Sequence, residues 1–279
     1  MAGDAPRRSS PVPGPVPGPV PGPVPGPVPG PVPGSATRRF VIGRRTGGAD
    51  ELHGFEPNVA DPHLAGQQVV ERAATWFEVD RAALVLGSAQ PLAHVDLDAC
   101  RAAGVDLARR RSGGGAVLVV PGEMLWLDVV IGAGDPLWDD DIGRSMWWLG
   151  DVWADALRSL GAAVGVAGAL VEVHRGPVRR TNWSNHVCFD GLGAGEVTID
   201  GAKAVGISQR RTRSWARLQS SMHVVWRGEM MTALLSPPRP TPAELHSPAS
   251  LSALAGPRYD VDSAVAALVQ AVEHSIDLR

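Results

Sequence analysis

Three short stretches hold the side chains best suited to chemistry. In "RRSGGGAV" (Arg110–Val117) two arginines lead into three consecutive glycines. Gly113, Gly114 and Gly115 leave backbone N–H groups with no side chain above them, so the chain can approach a carbonyl or an anion closely. Arg110 and Arg111 add charge-assisted donors beside them. A flexible turn would also use glycines, but three of them next to buried-looking strands cost chain entropy that a turn alone does not demand. In "GAKAVGISQRRTR" (Gly201–Arg213) one lysine, Lys203, stands in an apolar strand near Gly206, and Arg210, Arg211 and Arg213 follow. A strand lysine commonly guards a sheet edge; aimed into a cleft, it neutralises a carboxylate or phosphate. In "VCFDG", Cys188 precedes Lys203 by fifteen residues. A cysteine in an apolar strand is usually inert core, and the alternative is a thiolate nucleophile. His186 would share the face of Cys188 on a strand, which makes it the positional candidate for a general base.

These residues need a scaffold. "HLAGQQVVERAATWF" (His63–Phe77) has apolar residues at helical spacing, at Leu64, Val69, Ala73 and Trp76, which predicts a helix. "ALVLG" (Ala83–Gly87) reads as a short buried strand, and Val95–Gly104 as a helix opened by Asp96 and closed by Gly104. "AVLVV" and "MLWLDVVIG", separated by Pro121-Gly122-Glu123, carry a hairpin signal. Asp141–Gly161 is the longest amphipathic helix. "LVEVHRG", "VCFDG", "EVTIDG", "AKAVGISQ" and "WARLQSSMHVVW" read as strands, and helices follow near Glu229–Leu235 and Asp260–Leu278. Strands in hairpins with helices between their groups predict an α+β fold around a mostly antiparallel sheet. The triple glycine precedes a strand and not a helix, so a dinucleotide fingerprint is excluded.

Composition bounds the rest. Pro11–Gly34 is a run of Pro-Val-Pro-Gly units that can build neither ladder nor helix. Residues 1–39 are therefore expected to be an extended, disordered tail, and residues 40–279 the catalytic domain. A net charge of −3 gives no global field for nucleic acid or membrane. Two cysteines make no disulfide framework, and no apolar run is long enough to span a bilayer. With no secretory signal at the N-terminus, the expected location is the cytoplasm.

"RRSGGGAV" followed by "GAKAVGISQ", with "LVLGSAQ" (Leu84–Gln90) upstream, resembles the lipoate–protein ligase family over about residues 40–275. That family includes ATP-dependent lipoate ligases and cysteine-dependent octanoyltransferases, which attach lipoyl or octanoyl groups to a lysine of lipoyl domains. The resemblance implies packed helices on a mostly antiparallel sheet, a fold shared with biotin ligases (biotin synthetase-like) and class II aminoacyl-tRNA synthetases. It implies that Arg111, Ser112, Gly113, Gly114, Gly115 and Ala116 surround the acyl chain and its adenylate or thioester. Lys203 would meet the carbonyl or phosphate where charge develops, Gly206 and Ser208 would continue that wall, and Gly87 and Gln90 would lie at the mouth of the acyl tunnel. The chain departs from the family pattern at Ser88-Ala89, at Val119 and at Ser220-Ser221.

The resemblance leaves two chemistries. A ligase activates lipoate with ATP and Mg2+; Arg210 and Arg211 beside Lys203 suit a triphosphate and place this reading slightly ahead. A transferase takes octanoate from acyl carrier protein through a thioester on Cys188, which stands where such members keep their nucleophile relative to Lys203. The implied acceptors are lipoyl domains of 2-oxoacid dehydrogenase complexes or the glycine-cleavage H protein. No metal site of the chain's own is expected, nor a nucleic-acid or membrane partner. A non-catalytic protein binding a lipoyl domain or an acyl carrier is the reading from a different class.

Overall fold

A computed structural model describes residues 39–55, 72–256 and 260–279. Among these described residues ten strands form two sheets, packed with six helices. The larger contains β1 (Val41–Gly47), β2 (Arg72–Val79), β6 (Met124–Gly132), β7 (Val171–Val173), β8 (Val197–Ile199), β9 (Ala202–Arg211) and β10 (Trp215–His223), in the order β1-β2-β6-β10-β9-β8-β7. Within this sheet, among the described residues, the β1–β2 pair alone is parallel. The smaller sheet is β4 (Asp106–Arg109), β3 (Ala83–Leu86) and β5 (Val117–Val119), with β3 in the middle; here β3 and β4 are parallel. The six helices are α1 (Ala49–Gly54), α2 (Leu97–Ala102), α3 (Trp147–Leu160), α4 (Gly228–Ala233), α5 (Leu251–Ala255) and α6 (Val261–Asp277). The α+β, mostly antiparallel expectation is met.

Alternation along the central strands assigns the layers. On β6, Leu125, Leu127, Val129 and Ile131 face α3 and α6 in the main core, with Leu218 and Met222 of β10. The intervening Trp126 turns to the other face and packs with Phe77, Val85, Val119 and Leu52 of α1 between the two sheets. A third cluster closes the outer side of the small sheet, where Leu84, Leu86 and Leu118 meet Met231, Leu234 and Leu235. The inner face of the large sheet also carries Asp128, Arg217 and Gln219, all buried. Polar side chains are thus held between two apolar layers, which is tolerable only where each finds a partner.

Several expectations need correction. Residues 63–71 of the expected helix lie outside the described residues, and Ala73, Trp76 and Phe77 belong to β2, buried on both faces in the middle of a sheet. A doubly buried strand shows no alternation, so its apolar spacing can imitate a helix. β5 and β6 are both strands but not a hairpin: β5 pairs with β3, and β6 with β2 and β10. The Pro121–Glu123 turn carries the chain from one sheet to the other. "VCFDG" is not a strand either; Cys188–Asp190 form a single 3₁₀ turn. The long helix begins at Trp147, after a 3₁₀ turn at Arg144–Met146, six residues later than expected. β3, β7, β8, β9, β10, α2 with its Asp96 cap, α4 and α6 fall where the sequence places them, while β1, β4, α1 and α5 lie outside the expected elements. The Pro-Val-Pro-Gly run lies outside the described residues.

Candidate active site

The site gathers where the loop after β4, the 188–190 turn and β9 converge. Lys203 is placed by two local features. An Asp200-Gly201 turn, with φ of 49° and 83°, joins β8 to β9 as a tight hairpin. A bulge then follows, because Thr198 pairs with Lys203 while the adjacent Val197 pairs with Val205. The extra residue changes the phase of the strand. A side chain starting at Gly206 would therefore meet Lys203 Cε at 3.4 Å, although an odd offset on a regular strand separates the faces.

Lys203 is buried, at 7% exposure, and all three of its N–H donors are used. Nζ donates to the carbonyls of Cys188 and Gly191, each at 3.0 Å, and pairs with Glu196 Oε2 at 2.8 Å. It also lies 4.8 Å from the centre of the Phe189 ring. Glu196 is equally buried and accepts the amides of Gly193 (2.6 Å) and Ile207 (3.2 Å). Removing one member of such a pair leaves an uncompensated buried charge, at a cost of about 3–5 kcal/mol. Glu196 carries no motif. Its signal is position: an acid separated by the three residues of β8 from a tight turn, with a lysine soon after it.

Arg110 plays the corresponding part for the glycines. Its Nη2 donates to Gly113 O at 2.8 Å and Gly115 O at 2.7 Å, and Nη1 to Val85 O at 3.2 Å. The guanidinium is spent on holding the loop's carbonyls, and the peptide plane it fixes at Gly113 O carries the Gly114 N–H on its other edge. Among the described residues, the amides of Gly113, Gly114 and Gly115 have no acceptor, and all three residues line the main cleft. The glycines have separate reasons. Gly114 has φ of 102°, and a methyl there would meet both Arg110 Nη2 (2.8 Å) and Cys188 Sγ (3.2 Å). A methyl on Gly115 would strike the backbone of Ser184, His186 and Val187 at 2.7–2.8 Å. Gly113 faces open space.

Two cavities meet at this point. A cleft of about 790 Å³ is lined by the three glycines, Gln90, Arg179, Arg180, Cys188, Glu196, Lys203 and Ser208. A narrow slot of about 50 Å³ lies inward, walled by Val85, Val117, Val119, Met124, Trp126, Phe189 and Ile207. Cys188, Glu196, Ile207 and Ser208 line both. The slot's polar wall is an ordered chain. Ser208 Oγ meets Ser112 Oγ at 2.9 Å, Ser112 donates to Gln219 Oε1 at 3.0 Å, and Gln219 Nε2 faces His53 Nδ1 at 3.2 Å. An amide NH2 can only donate, so His53 Nδ1 accepts and carries no proton. This fits its pKa, lowered from 6.5 to about 3 by burial first, then by Arg217 and Arg110. His223 is likewise lowered to about 3, by burial and then by Lys203. Asp128 is pushed upward by burial, against the pull of Arg217.

The other expected residues divide. Gly206, Ser208 and Gln90 line the cavities, and Gln90 also ties its loop to His186 O through Nε2 at 3.1 Å, whereas Ser112 is buried, lines neither, and joins the slot's polar wall through its bonds to Ser208 and Gln219. Gly87 does not reach the cleft; a methyl there would lie 1.8 Å from Gly114 O, so its role is backbone contact with the glycine loop. Ala116 lines neither cavity and bridges to Val187, with its carbonyl accepting from the Cys188 amide at 2.9 Å. Arg111 is exposed and lines neither. Arg210 and Arg211 are turned away: Arg210 lies over Trp215, while Arg211 lies 3.7 Å over Trp138 and donates to Asp139 O. Besides Lys203, the cations lining the cleft among the described residues are Arg179 and Arg180, which no motif marked. His186 is not presented beside Cys188 either. Its ring stacks on His94 at 4.0 Å, lines neither cavity, and has its pKa lowered by burial and by His94.

A half-buried thiol at the junction of an open cleft and an apolar slot, beside unpaired backbone amides, is an arrangement for acyl chemistry. The chain belongs to the family described as lipoyl protein ligase A/B catalytic domain, whose model matches residues 65–273. It is 32% identical over 142 residues to octanoyltransferase LipM of Clostridioides difficile, covering 50% of this chain and 48% of that protein. It is 31% identical over 144 residues to octanoyltransferase LipM of Moorella thermoacetica, covering 52% and 50%. The chain thus spans about half the length of the curated relatives it matches. A T. acidophilum protein solved with bound lipoic acid has a similar fold, with a TM-score of 0.59, 17% identity and 85% of each chain covered. Among the described residues no helix is long and apolar enough to cross a membrane.

Proposed function

We propose that the chain transfers an octanoyl group from an acyl carrier protein to a lysine of a lipoyl domain, through a thioester on Cys188. The observation that carries this reading is the place of Cys188, whose side chain lines both the cleft and the slot. A donor thioester entering the cleft can lay its alkyl chain in the apolar slot with its carbonyl at the sulfur. The amides of Gly113, Gly114 and Gly115 are the nearest uncommitted donors for the oxyanion that forms when the thiolate attacks. The carrier thiol leaves; the acceptor lysine, entering by the same cleft, attacks the enzyme thioester and regenerates the thiol. The names of the two curated relatives support this route over ATP activation, as does the turning away of Arg210 and Arg211 from the cleft.

The second reading is a lipoate ligase acting through lipoyl-AMP with ATP and Mg2+. One observation favours it: Arg179 and Arg180, both exposed on the cleft wall, can meet a triphosphate. The acceptors under either reading are lipoyl domains of 2-oxoacid dehydrogenases or the glycine-cleavage H protein. The test is intact mass measurement of enzyme and lipoyl domain, incubated with octanoyl-acyl carrier protein in one tube and lipoate plus ATP in another. An octanoyl adduct on Cys188 followed by a modified acceptor is the expected result. Acceptor modification only with lipoate and ATP, and no adduct, overturns it in favour of the ligase.

A further inference from the structure

We infer that Glu196 is a positioning residue that holds Lys203 charged and tethered while Lys203 moves from the backbone onto the reacting carbonyl; this rests on the acyl-transfer reading above. The starting point is a conflict between the lysine's expected role and its bonds. Lys203 has three donors, and each is taken by the protein: the carbonyls of Cys188 and Gly191 and the carboxylate of Glu196. In this state it has none for substrate. The two carbonyls flank the turn that carries the nucleophile, so the ammonium staples that turn closed around Phe189.

The three bonds are not equal. The bond to Glu196 is the shortest, joins two ions, and lies where both partners are almost wholly buried. Carbonyl bonds at 3.0 Å are the weaker ones, and charge-assisted bonds are roughly twice as strong as neutral ones. When negative charge develops on a thioester oxygen in the cleft, Lys203 can give up one carbonyl for the oxyanion at little loss. It cannot give up Glu196 without becoming a bare cation beside Phe189 and Ile207. Glu196 is in turn fixed, because its two oxygens accept amides from separate segments, Gly193 in the loop before β8 and Ile207 on β9. It is therefore a rigid pivot. The carboxylate lines both cavities but reaches the chemistry through Lys203.

The test is a double-mutant cycle on the full chain, with Glu196→Gln, Lys203→Met and the pair combined. The reading is the rate of octanoyl adduct formation on Cys188 at saturating octanoyl-acyl carrier protein, by quenched-flow mass spectrometry, together with KM for that donor. Glu196→Gln alone is expected to slow the step by roughly a hundredfold, as loss of a preorganised transition-state donor does, with KM changed by less than about threefold. In the Lys203→Met background the same change is expected to cost nothing further, within about threefold, because Glu196 acts only through the lysine. Each single change leaves one buried charge unpaired and the combined variant leaves none, so every rate is divided by the folded fraction read by circular dichroism before the combined variant is compared with Lys203→Met. A loss from Glu196→Gln that persists without Lys203, or that falls on KM alone, overturns the inference and leaves the acyl-transfer reading standing. A wild-type enzyme that forms no adduct on Cys188 overturns both.

Discussion

Gly87→Ala tests the account of the glycines most directly, because Gly87 lies outside both cavities. Its added methyl would sit 1.8 Å from Gly114 O, 2.9 Å from Gly114 C and 3.3 Å from Gly114 N. Non-bonded carbon needs about 3.5 Å, so one backbone must withdraw by well over an ångström. Neither is free to do so. The Gly113 and Gly115 carbonyls are clamped by Arg110, and the carbonyls of Gly87, Ser88 and Gln90 are held by Arg109 Nη1. Overpacking of this kind costs about 1–3 kcal/mol, which in a domain of this size lowers Tm by roughly 2–12 °C. The displaced loop carries the amides proposed to meet the acyl carbonyl, and a shift of about 1 Å costs on the order of a hundredfold in rate. Gly113→Ala is the internal control, because its methyl meets nothing within 4 Å. It should leave Tm within about 2 °C of wild type, as surface substitutions do. Thermal unfolding by circular dichroism and the rate of Cys188 octanoylation give the two readings. If Gly87→Ala matches wild type in both, or Gly113→Ala is as damaging as Gly87→Ala, the separation of packing glycines from open ones is refuted.

Cys188→Ser should abolish the octanoyl adduct and lower transfer by several orders of magnitude, since a serine hydroxyl is barely ionised without an activating base; undiminished turnover with lipoate and ATP would transfer the case to the ligase. Acid should destabilise the fold early. His53 and His223 have folded-state pKa values of about 3 against 6.5 when free, so the unfolded chain alone takes up their protons between those limits. Stability is complete above pH 6.5 and falls toward pH 3 by up to about 1.4 kcal/mol per pH unit per histidine; urea midpoints that stay flat from pH 7 to pH 4.5 would contradict this. Met124 and Trp126 line both the slot and a further cavity of about 220 Å³, and Trp126 is pinned by a 2.6 Å bond to Asp128 whereas Met124 is not. Met124→Ala should join the two spaces and let longer acyl thioesters label Cys188, read as a changed chain-length profile by mass spectrometry.

What the sequence could and could not tell divides along physical lines. Local signals held: the Asp96 cap that opens α2, Gly104 (φ of 65°) after its end, and the strands β9 and β10 are written in neighbouring residues. Non-local ones did not. β2 reads as helix because both its faces are buried, and the β5–β6 junction reads as a hairpin because a turn signal does not say which sheet each strand joins. At the site, Lys203, Cys188 and the triple glycine are legible as types. Their partners are not: Gly87 meets Gly114 through folding alone, and the bulge that turns Lys203 toward Gly206 leaves no residue signature. The arginine cluster after β9 misled for the same reason, since strand position and not charge decides that Arg211 lies on Trp138, outside the cleft.

Three buried cations share one design. Arg110, Lys203 and Arg217 all point at backbone carbonyls: Arg110 at the glycine loop, Lys203 at the nucleophile's turn, Arg217 at Leu52, His53 and Phe55 where α1 ends. Two of the three are also neutralised, Lys203 by Glu196 and Arg217 by Asp128. A cation that binds a carbonyl fixes the peptide plane, and a fixed plane aims the N–H on its other edge. In the glycine loop the plane of the Gly113 carbonyl carries the Gly114 N–H, which has no acceptor among the described residues, and the plane of the Gly115 carbonyl carries the Ala116 N–H, which is spent on His186 O. Affinity for an acyl oxygen is thereby delegated from side-chain charge to preorganised amides, which need no reorganisation when charge develops. It follows that Arg110→Lys should be severe although the charge is kept. An ammonium cannot span Val85, Gly113 and Gly115 in the plane of the guanidinium fork. Loss of Cys188 labelling in Arg110→Lys, with tertiary packing retained by near-ultraviolet circular dichroism, is the outcome this design requires; unchanged labelling would show that the amides need no such clamp.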